Sequence, residues 1–386
     1  MLKYWLWLTT LMPPIKVAKL MQRFATPEEV FFAGEKELSA LGFFTPEDIE
    51  MLSKKSFDLA EHILEQCDIK NIGIITMQDA HYPRRLRDID DPPGVLYIKG
   101  SLSPLSIEPA IGIVGTRDAT PYGLNAAAMF SYNLAKSGFI VISGMAKGID
   151  TIGHQGALRA NRPTVAVLGC GADVIYPSEN EPLYNDIINL GAVITEFPPG
   201  TRPLGTHFPR RNRLISGLGV GVLIIEAPLK SGALITARVA QEQGRDVFAV
   251  PGAIDAPNSV GCNKLIRDFA ALAAEPSDIL SEYILQYPVE LGARHEAPKL
   301  PVTEPAKKLP PSVGAGSARP ITPKPIDAEL TETQAEIVKA LRNGPLSPDD
   351  ICAAVEIEMR KVLAELTMLE IEGVIASNSA GIYTLL

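Results

Sequence analysis

The feature that most constrains the fold of this chain is a series of short apolar runs, rich in β-branched residues, between residues 71 and 283. Stretches in which apolar residues recur at intervals of three and four separate these runs, as expected for helices. The runs read AIGIVG, FIVISG, TVAVLG, AVITEF, VGVLIIEA and DVFAVPG. Continuous apolar strands that alternate with helices predict a parallel sheet covered on both faces. We therefore predict a doubly wound α/β domain over residues 71–290.

Helical patterns precede this domain. Thr26 and Thr45 each stand before a proline and acidic residues, which is typical of a helix N-terminus. The apolar run at the start of the sequence is short, is interrupted by Pro13 and Pro14, and is not followed by a small-residue cleavage site. We interpret that run as a core helix rather than a signal peptide, and we predict a small helical domain over residues 1–70.

Two further segments follow the α/β domain. Eight prolines fall between residues 298 and 325, mixed with Gly, Ser, Ala and Lys, and this composition predicts an extended linker over residues 291–327. Residues 328–386 return to amphipathic helical patterns and end in GVIAS and IYTLL, two runs separated by turn residues at 378–381. Helices followed by a β-hairpin predict a winged helix.

Composition indicates the cellular compartment of the protein and limits the class of ligand that it can bind. Because the formal net charge is −9, any attraction for an anion must come from a local cluster of cations. The four cysteines lie far apart and form neither a C-x-x-C pair nor a metal-ligand spacing with histidine. We predict reduced thiols in a cytoplasmic protein without a metal. No stretch approaches the roughly 20 apolar residues of a membrane span, so we expect no membrane contact.

Cationic and hydroxyl side chains follow several of the predicted strands. In an open parallel sheet, the loops at the carboxyl ends of the strands form the ligand crevice. Glycine, hydroxyl groups and planar guanidinium groups in such loops are typical of anion binding. The candidate residues are Gly115, Thr116 and Arg117, then Ser143, Gly144 and Lys147, then Phe208, Arg210, Arg211, Asn212 and Arg213, and finally Lys230 and Ser231.

The kind of anion follows from what these loops lack. Neither the dinucleotide fingerprint G-x-G-x-x-G nor a P-loop is present, which disfavours a nucleotide cofactor and nucleotide hydrolysis. Several cations along one crevice, without an evident nucleophile, suit a polyanion such as a nucleic-acid strand. A sheet-end crevice favours a single strand over a duplex, with Phe208 and Tyr122 as the nearest stacking candidates and Tyr176 as a third.

Three residues near these loops have structural as well as functional interpretations. His154 is either a general base or a packed or capping group, and Asp150 is interpreted as the N-cap of the same helix. Glu226, at the end of a buried strand, is expected to hold either an arginine or a main-chain loop in place. The choice between these roles depends on the fold.

The motifs, in their order, resemble those of the DNA-processing protein A (DprA/Smf) family. The resemblance covers residues 71–281 through IVGTRDATPYG, VISGMAKGIDTIGHQGAL, FPRRNRLISGL, IIEAPLKSGALITA and VPGAIDAPNSVGCNKLI. It implies an extended Rossmann-like sheet flanked by an N-terminal helical, SAM-like domain and a C-terminal winged helix. It also implies a non-enzymatic homodimer, without a cofactor, that binds and protects incoming single-stranded DNA and helps to load a RecA-type recombinase in natural transformation. Asn263 joins the candidate binding residues through this resemblance.

Two other functions remain open on the sequence. Related Rossmann-like folds include nucleotide-binding enzymes of the phosphoribohydrolase type, although APLKSGALITA here lacks their glycine-rich phosphate loop. A transcription regulator would use the winged helix to bind duplex DNA. The few cations of that segment count against this third hypothesis.

Overall fold

The computed structural model describes residues 1–106, 108–292, 332–342, 344, 346–355, 357, 362, 365–366, 369, 375–377 and 382–385. The chain divides into two compact units, Met1–Leu300 and Pro301–Leu386. Apart from its first two residues, the proline-rich linker predicted at residues 291–327 lies outside the described residues.

The first unit contains a sheet and the helices around it. The strands are β1 (Gly73–Thr76), β2 (Val95–Gly100), β3 (Ala110–Val114), β4 (Ile140–Ser143), β5 (Thr164–Val167), β6 (Ala192–Thr195), β7 (Gly221–Ile224), β8 (Asp246–Ala249) and β9 (Ala271–Leu272). The helices are α1 (Leu2–Leu11), α2 (Pro14–Met21), α3 (Pro27–Phe32), α4 (Glu35–Ser39), α5 (Pro46–Ser53), α6 (Asp58–Ile69), α7 (Arg84–Arg87), α8 (Pro121–Ser137), α9 (Ile149–Arg159), α10 (Glu181–Leu190), α11 (His207–Leu218), α12 (Gly232–Glu242), α13 (Val260–Asp268), α14 (Pro276–Tyr283) and α15 (Pro288–Gly292).

The sheet confirms the predicted α/β class and extends it. Its strand order is β1-β2-β6-β5-β4-β3-β7-β8-β9. All pairs from β6 to β9 are parallel, and the six predicted strands all lie among them. The antiparallel pairs β1–β2 and β2–β6 add an edge that the strand patterns did not predict. Because the chain moves outward from β3 in one direction and from β7 in the other, the topological switch point lies between these two strands.

Alternate residues of the central strands pack into two apolar layers. On one face, Val114 and Ile224 pack with residues of α11, α12 and α13. On the other face, Ile113 and Leu223 pack with residues of α8, α9 and α14. The central strands are therefore buried on both sides, and only their ends are open to ligands.

The N-terminal helices pack against the antiparallel edge of the sheet. Trp5 of α1 is fully buried in a cluster that includes Val95 and Tyr97 of β2. Thr26 and Thr45 cap α3 and α5 as predicted, and Asp48 completes a capping box at α5. These helices lie in the same compact unit as the sheet, so a domain boundary at residue 70 remains a prediction.

The second unit contains α16 (Glu332–Leu341), α17 (Pro348–Val355), β10 (Ile375–Ser377) and β11 (Tyr383–Leu385). The two strands pair antiparallel as predicted, and the turn predicted at residues 378–381 lies outside the described residues. Ile337, Ile351 and Ile375 are buried together in the core of this unit. None of the helices in the described parts of the chain is long and apolar enough to span a membrane.

Candidate nucleic-acid interface

A crevice of about 480 Å³ opens beyond the carboxyl ends of β3 and β7, at the switch point. A smaller cleft of about 130 Å³ lies beyond the ends of β4 and β5. Arg117, Ala146, Tyr176 and Phe208 line both spaces, so the two form one continuous surface depression. We call this combined depression the switch-point crevice.

The exposed Arg117 and the half-buried Phe208 form the centre of the switch-point crevice. The guanidinium carbon of Arg117 lies 5.5 Å from the centroid of the Phe208 ring. The ring of Tyr176 lies 5.7 Å from that of Phe208. Arg117 is exposed, and among the described residues no carboxylate lies within ion-pair distance of it. A free cation beside two aromatic rings can bind a phosphate while a base stacks nearby.

Close packing of two loops positions Arg117. The Thr116 amide donates to the Glu226 carbonyl at 2.7 Å, and the Ile149 amide donates to the Thr116 carbonyl at 3.3 Å. Gly148 has φ of +77°, and a Cβ there would collide with the carbonyls of Thr116 and Arg117. Hydrogen bonds and close packing thus join the loops after β3 and β4. This contact fixes the direction in which the Arg117 side chain projects from its loop.

Arg211 lies beneath the crevice and holds the strand ends together. It is 4% exposed and donates from Nη1 to the carbonyl of Gly144 at 2.7 Å and also to the carbonyl of Val167. Asp150 accepts from the amides of Gly144 and Ala146 at 3.2 and 3.3 Å. Burial raises the pKa of Asp150, which the charge of Arg211 opposes, and burial lowers the pKa of Arg211. This pair organises the loops from below.

Asp150 does not have the capping role predicted from the sequence. Gly148 is the N-cap of α9, and Asp150 is the second residue inside that helix. Its carboxylate reaches back to the preceding loop instead of binding the amides of its own first turn. His154, one turn further along α9, is fully buried, and its Nδ1 lies 2.7 Å from Thr164 Oγ1. Burial and the nearby charge of Arg211 lower the pKa of His154 to about 3, so it is a packed, neutral group.

Arg210 and Arg213 point away from Arg211 and share one acid. Both Nη2 atoms approach Oε2 of Glu196, at 3.0 Å from Arg210 and 2.6 Å from Arg213. Arg213 Nε also lies 3.0 Å from Asp91, and its side chain is only 8% exposed. The interpretation in which Glu226 holds an arginine is wrong. Glu226 instead accepts a hydrogen bond from the main chain at Thr120, which was the other predicted alternative. The three arginines separate because they lie on α11, where each residue turns by about 100° from the last.

The predicted residues of the β4 loop have distinct surroundings. Lys147 is exposed and pairs with Glu179 at 2.6 Å. Ser143 is fully buried and donates to the carbonyl of Ile113 at 2.6 Å, which ties β4 to β3. Gly144 is buried between Asp150 and Arg211. Only Lys147 among these residues has a side chain that an external phosphate can reach.

The remaining candidates lie in the crevice lining or on loops beyond it. Asn212 lines it and accepts from Arg211 Nε at 3.3 Å. Lys230 is exposed, and Ser231 caps α12 by accepting from the Ala233 amide at 3.2 Å. Asn263 exchanges two hydrogen bonds with the backbone of Gly252 and thereby holds the loop after β8. The structure brings Gly115, Arg117, Gly144, Lys147, Phe208, Arg211 and Asn212 to the switch-point crevice, and it places Arg213 and Asn263 in contacts away from it. Thr116 is buried beneath the first loop and does not line the crevice.

Sequence reasoning missed one exposed cation next to the crevice. Arg202 is exposed in the loop after β6, and its neighbour Pro203 lines the crevice. The signal was present, because Arg202 follows the end of a predicted strand as Arg117 and Lys147 do. Asn258 was also missed: its side chain donates to the carbonyl of Asp118 at 2.8 Å and ties the loops after β3 and β8 together.

The fold and the crevice together define an α/β protein of Rossmann-like topology with a cationic, aromatic depression at its switch point. The sequence matches the family described as DNA recombination-mediator protein A over residues 73–284 and the DprA winged helix domain over residues 321–381. The chain belongs to the DprA/Smf family.

Individual relatives agree with this assignment. The chain is 35% identical over 384 residues to Protein Smf of Synechocystis, covering 95% of this chain and 93% of that protein. It is similar to the X-ray structure of DNA processing protein A from Streptococcus pneumoniae, with a TM-score of 0.64 and 33% identity over 73% of this chain and 98% of that one. The structure of DNA processing protein A from Helicobacter pylori, described for its single-stranded DNA binding mode, matches with a TM-score of 0.51 and 29% identity over 56% of this chain and 99% of that one.

Proposed function

We propose that this chain binds single-stranded DNA in the switch-point crevice, protects it, and helps to load a RecA-type recombinase during natural transformation. The observation that carries the proposal is the exposed Arg117, free of any carboxylate among the described residues and placed 5.5 Å from the ring of Phe208. A strand that follows the crevice gives its phosphates to the cations and its bases to the aromatic rings. The Helicobacter pylori relative, described for its single-stranded DNA binding mode, supports this ligand.

The contacts divide into two groups by exposure. Direct contact with the strand falls to the exposed or half-buried side chains of Arg117, Lys147, Phe208, Arg210 and Lys230. The buried residues act indirectly, by holding strands, helices and loops in place. Ser143, Arg211 and Arg213 hold strand ends and helices, while Gly115 and Thr116 set the course of the first loop. Ser231 and Asn263 fix the neighbouring loops, and Asn212 supports Arg211.

The single-strand preference follows from the shape of the crevice. Its lining comes from several strand-end loops and from the first turns of α11 and α12, which together make a concave surface rather than a flat one. A flexible single strand can enter such a depression and turn its bases toward Phe208 and Tyr176. A duplex keeps its bases stacked inside and presents only its backbone, so it forfeits the aromatic contacts.

Protection and recombinase loading are tested on the full chain. We expect it to shield a labelled single strand from an exonuclease and to shorten the lag of strand exchange by a RecA-type recombinase on strands coated with single-strand-binding protein. Light scattering with and without DNA tests the proposed homodimer. Shielding without any effect on the lag would leave DNA binding standing and would refute the loading role.

We propose a non-enzymatic role in the cytoplasm, and the phosphoribohydrolase alternative provides a direct check on it. Incubation of the purified chain with purine and pyrimidine monophosphates should release no free base above the background of a boiled sample. Release that depends on native protein would replace the binding proposal with an enzymatic one.

A further inference from the structure

A buried carboxylate fills the N-terminal end of α8, beside the switch point. Glu226 is 2% exposed and lies just beyond β7, whereas α8 follows β3. Its Oε2 accepts from the Thr120 amide at 2.9 Å, and its Oε1 accepts from Thr120 Oγ1 at 2.5 Å. Its own carbonyl accepts from the Thr116 amide at 2.7 Å. One residue from across the switch point thus makes three hydrogen bonds to the loop that opens α8.

The position of this carboxylate is the one at which Rossmann-like proteins bind a phosphate. In that topology the pyrophosphate of a dinucleotide rests at the N-terminus of the helix after the first central strand, which here is α8 after β3. The first turn of α8 contains no acidic residue of its own. The negative charge that complements its dipole therefore comes from Glu226.

Two of the backbone donors at this helix end are already engaged. Besides the Thr120 amide, which is bonded to Glu226, the Gly123 amide donates to Thr120 Oγ1 at 3.2 Å. Pro121, at the first helical position, has no N–H to offer. Gly123 also lies so close to Glu226 that a Cβ there would collide with the carboxylate. The glycine that could let a phosphate approach the helix instead lets the carboxylate approach.

We propose that Glu226 is an internal anion that occupies the phosphate position at the N-terminus of α8 and closes it to free nucleotides. The carboxylate supplies the negative charge at this helix end, and it accepts the hydrogen bonds that a mononucleotide phosphate would otherwise accept. The switch-point crevice, around Arg117 and Phe208, stays open. Glu226 is thereby a specificity-determining residue, and this role holds whether or not the crevice binds DNA.

The test is calorimetric titration of the full chain with inorganic phosphate and, separately, with AMP. Three proteins are compared: wild type, Glu226→Ala, and Asp118→Ala as the matched control. Asp118 is an exposed acid in the same loop, so its removal changes the local charge equally without vacating the helix end. We expect both ligands to bind Glu226→Ala at least about tenfold more tightly than either of the other proteins.

Equal affinity in all three proteins would overturn the proposal, and so would tight AMP binding to the wild type. Because Glu226→Ala removes a buried, bonded side chain, its thermal unfolding is followed with and without phosphate. Phosphate should raise the melting temperature of Glu226→Ala and leave that of the wild type unchanged; no such difference would also refute the idea. Binding of a labelled single strand to the same variants reports separately on the proposed function.

Discussion

Replacing Arg117 with alanine should weaken single-stranded DNA binding by about tenfold to thirtyfold. The structure gives the reason for this size: the side chain is exposed, has no carboxylate partner among the described residues, and faces the crevice beside Phe208. One charge-assisted hydrogen bond to a phosphate contributes about 1.5–2 kcal/mol, and 1.4 kcal/mol corresponds to a factor of ten. The free energy of unfolding should change by less than about 0.5 kcal/mol, because no buried contact is lost.

Fluorescence anisotropy with a labelled oligonucleotide measures this loss at physiological salt. Arg159→Ala is the matched control, since Arg159 is an exposed arginine at the far end of α9, roughly 15 Å along the helix from the crevice. That distance exceeds the screening length of about 8 Å, so the control should lose less than twofold in affinity. Equal losses in both variants would show that only net charge matters, and an unchanged Arg117→Ala would refute the assignment of the site.

Three further predictions concern the residues around Arg117. Arg211→Ala should lower the free energy of unfolding by about 3 kcal/mol in urea titrations, because it leaves two strand-end carbonyls buried without their donor and removes the positive charge near the buried Asp150. Glu179→Gln should raise affinity for single-stranded DNA about twofold to fivefold in the anisotropy assay, since it releases Lys147 from a surface ion pair. His154 has a pKa of about 3 in the folded chain against an ordinary value of 6.5, so acidification protonates the unfolded chain first and stability is lost as the pH falls below 6.5. Between pH 6 and 4 the wild type should therefore lose about 1.4 kcal/mol per pH unit more than His154→Asn, as measured by urea unfolding at each pH; parallel curves would contradict this.

The parallel core was predictable from local sequence. Six strands are short β-branched runs followed by turn or loop residues, and each is paired as expected in the parallel part of the sheet. The caps at Thr26 and Thr45 were predictable for the same reason, because a cap depends on four neighbouring residues. Strands and caps that depend on a few neighbouring residues could thus be predicted from the sequence.

The antiparallel edge of the sheet and the bonding partners of Glu226 and Glu196 could not be predicted in this way. β2 pairs with β6 through contacts such as Tyr97 with Thr195, which are distant along the chain. Glu226 and Glu196 both follow buried strands, and nothing local distinguishes the one that binds a loop from the one that binds arginines. The burial of Arg211 likewise depends on helix α11 beginning at His207, which turns neighbouring arginines in different directions.

The most direct test of single-strand binding in the crevice is the salt dependence of wild-type affinity, measured by anisotropy with single-stranded and duplex oligonucleotides of one sequence. If four or five phosphates are neutralised, the logarithm of the association constant should fall against the logarithm of salt concentration with a slope of about −3 for the single strand. The duplex should bind more weakly at every salt concentration. A slope near zero, or duplex affinity equal to that of the single strand, would contradict the account.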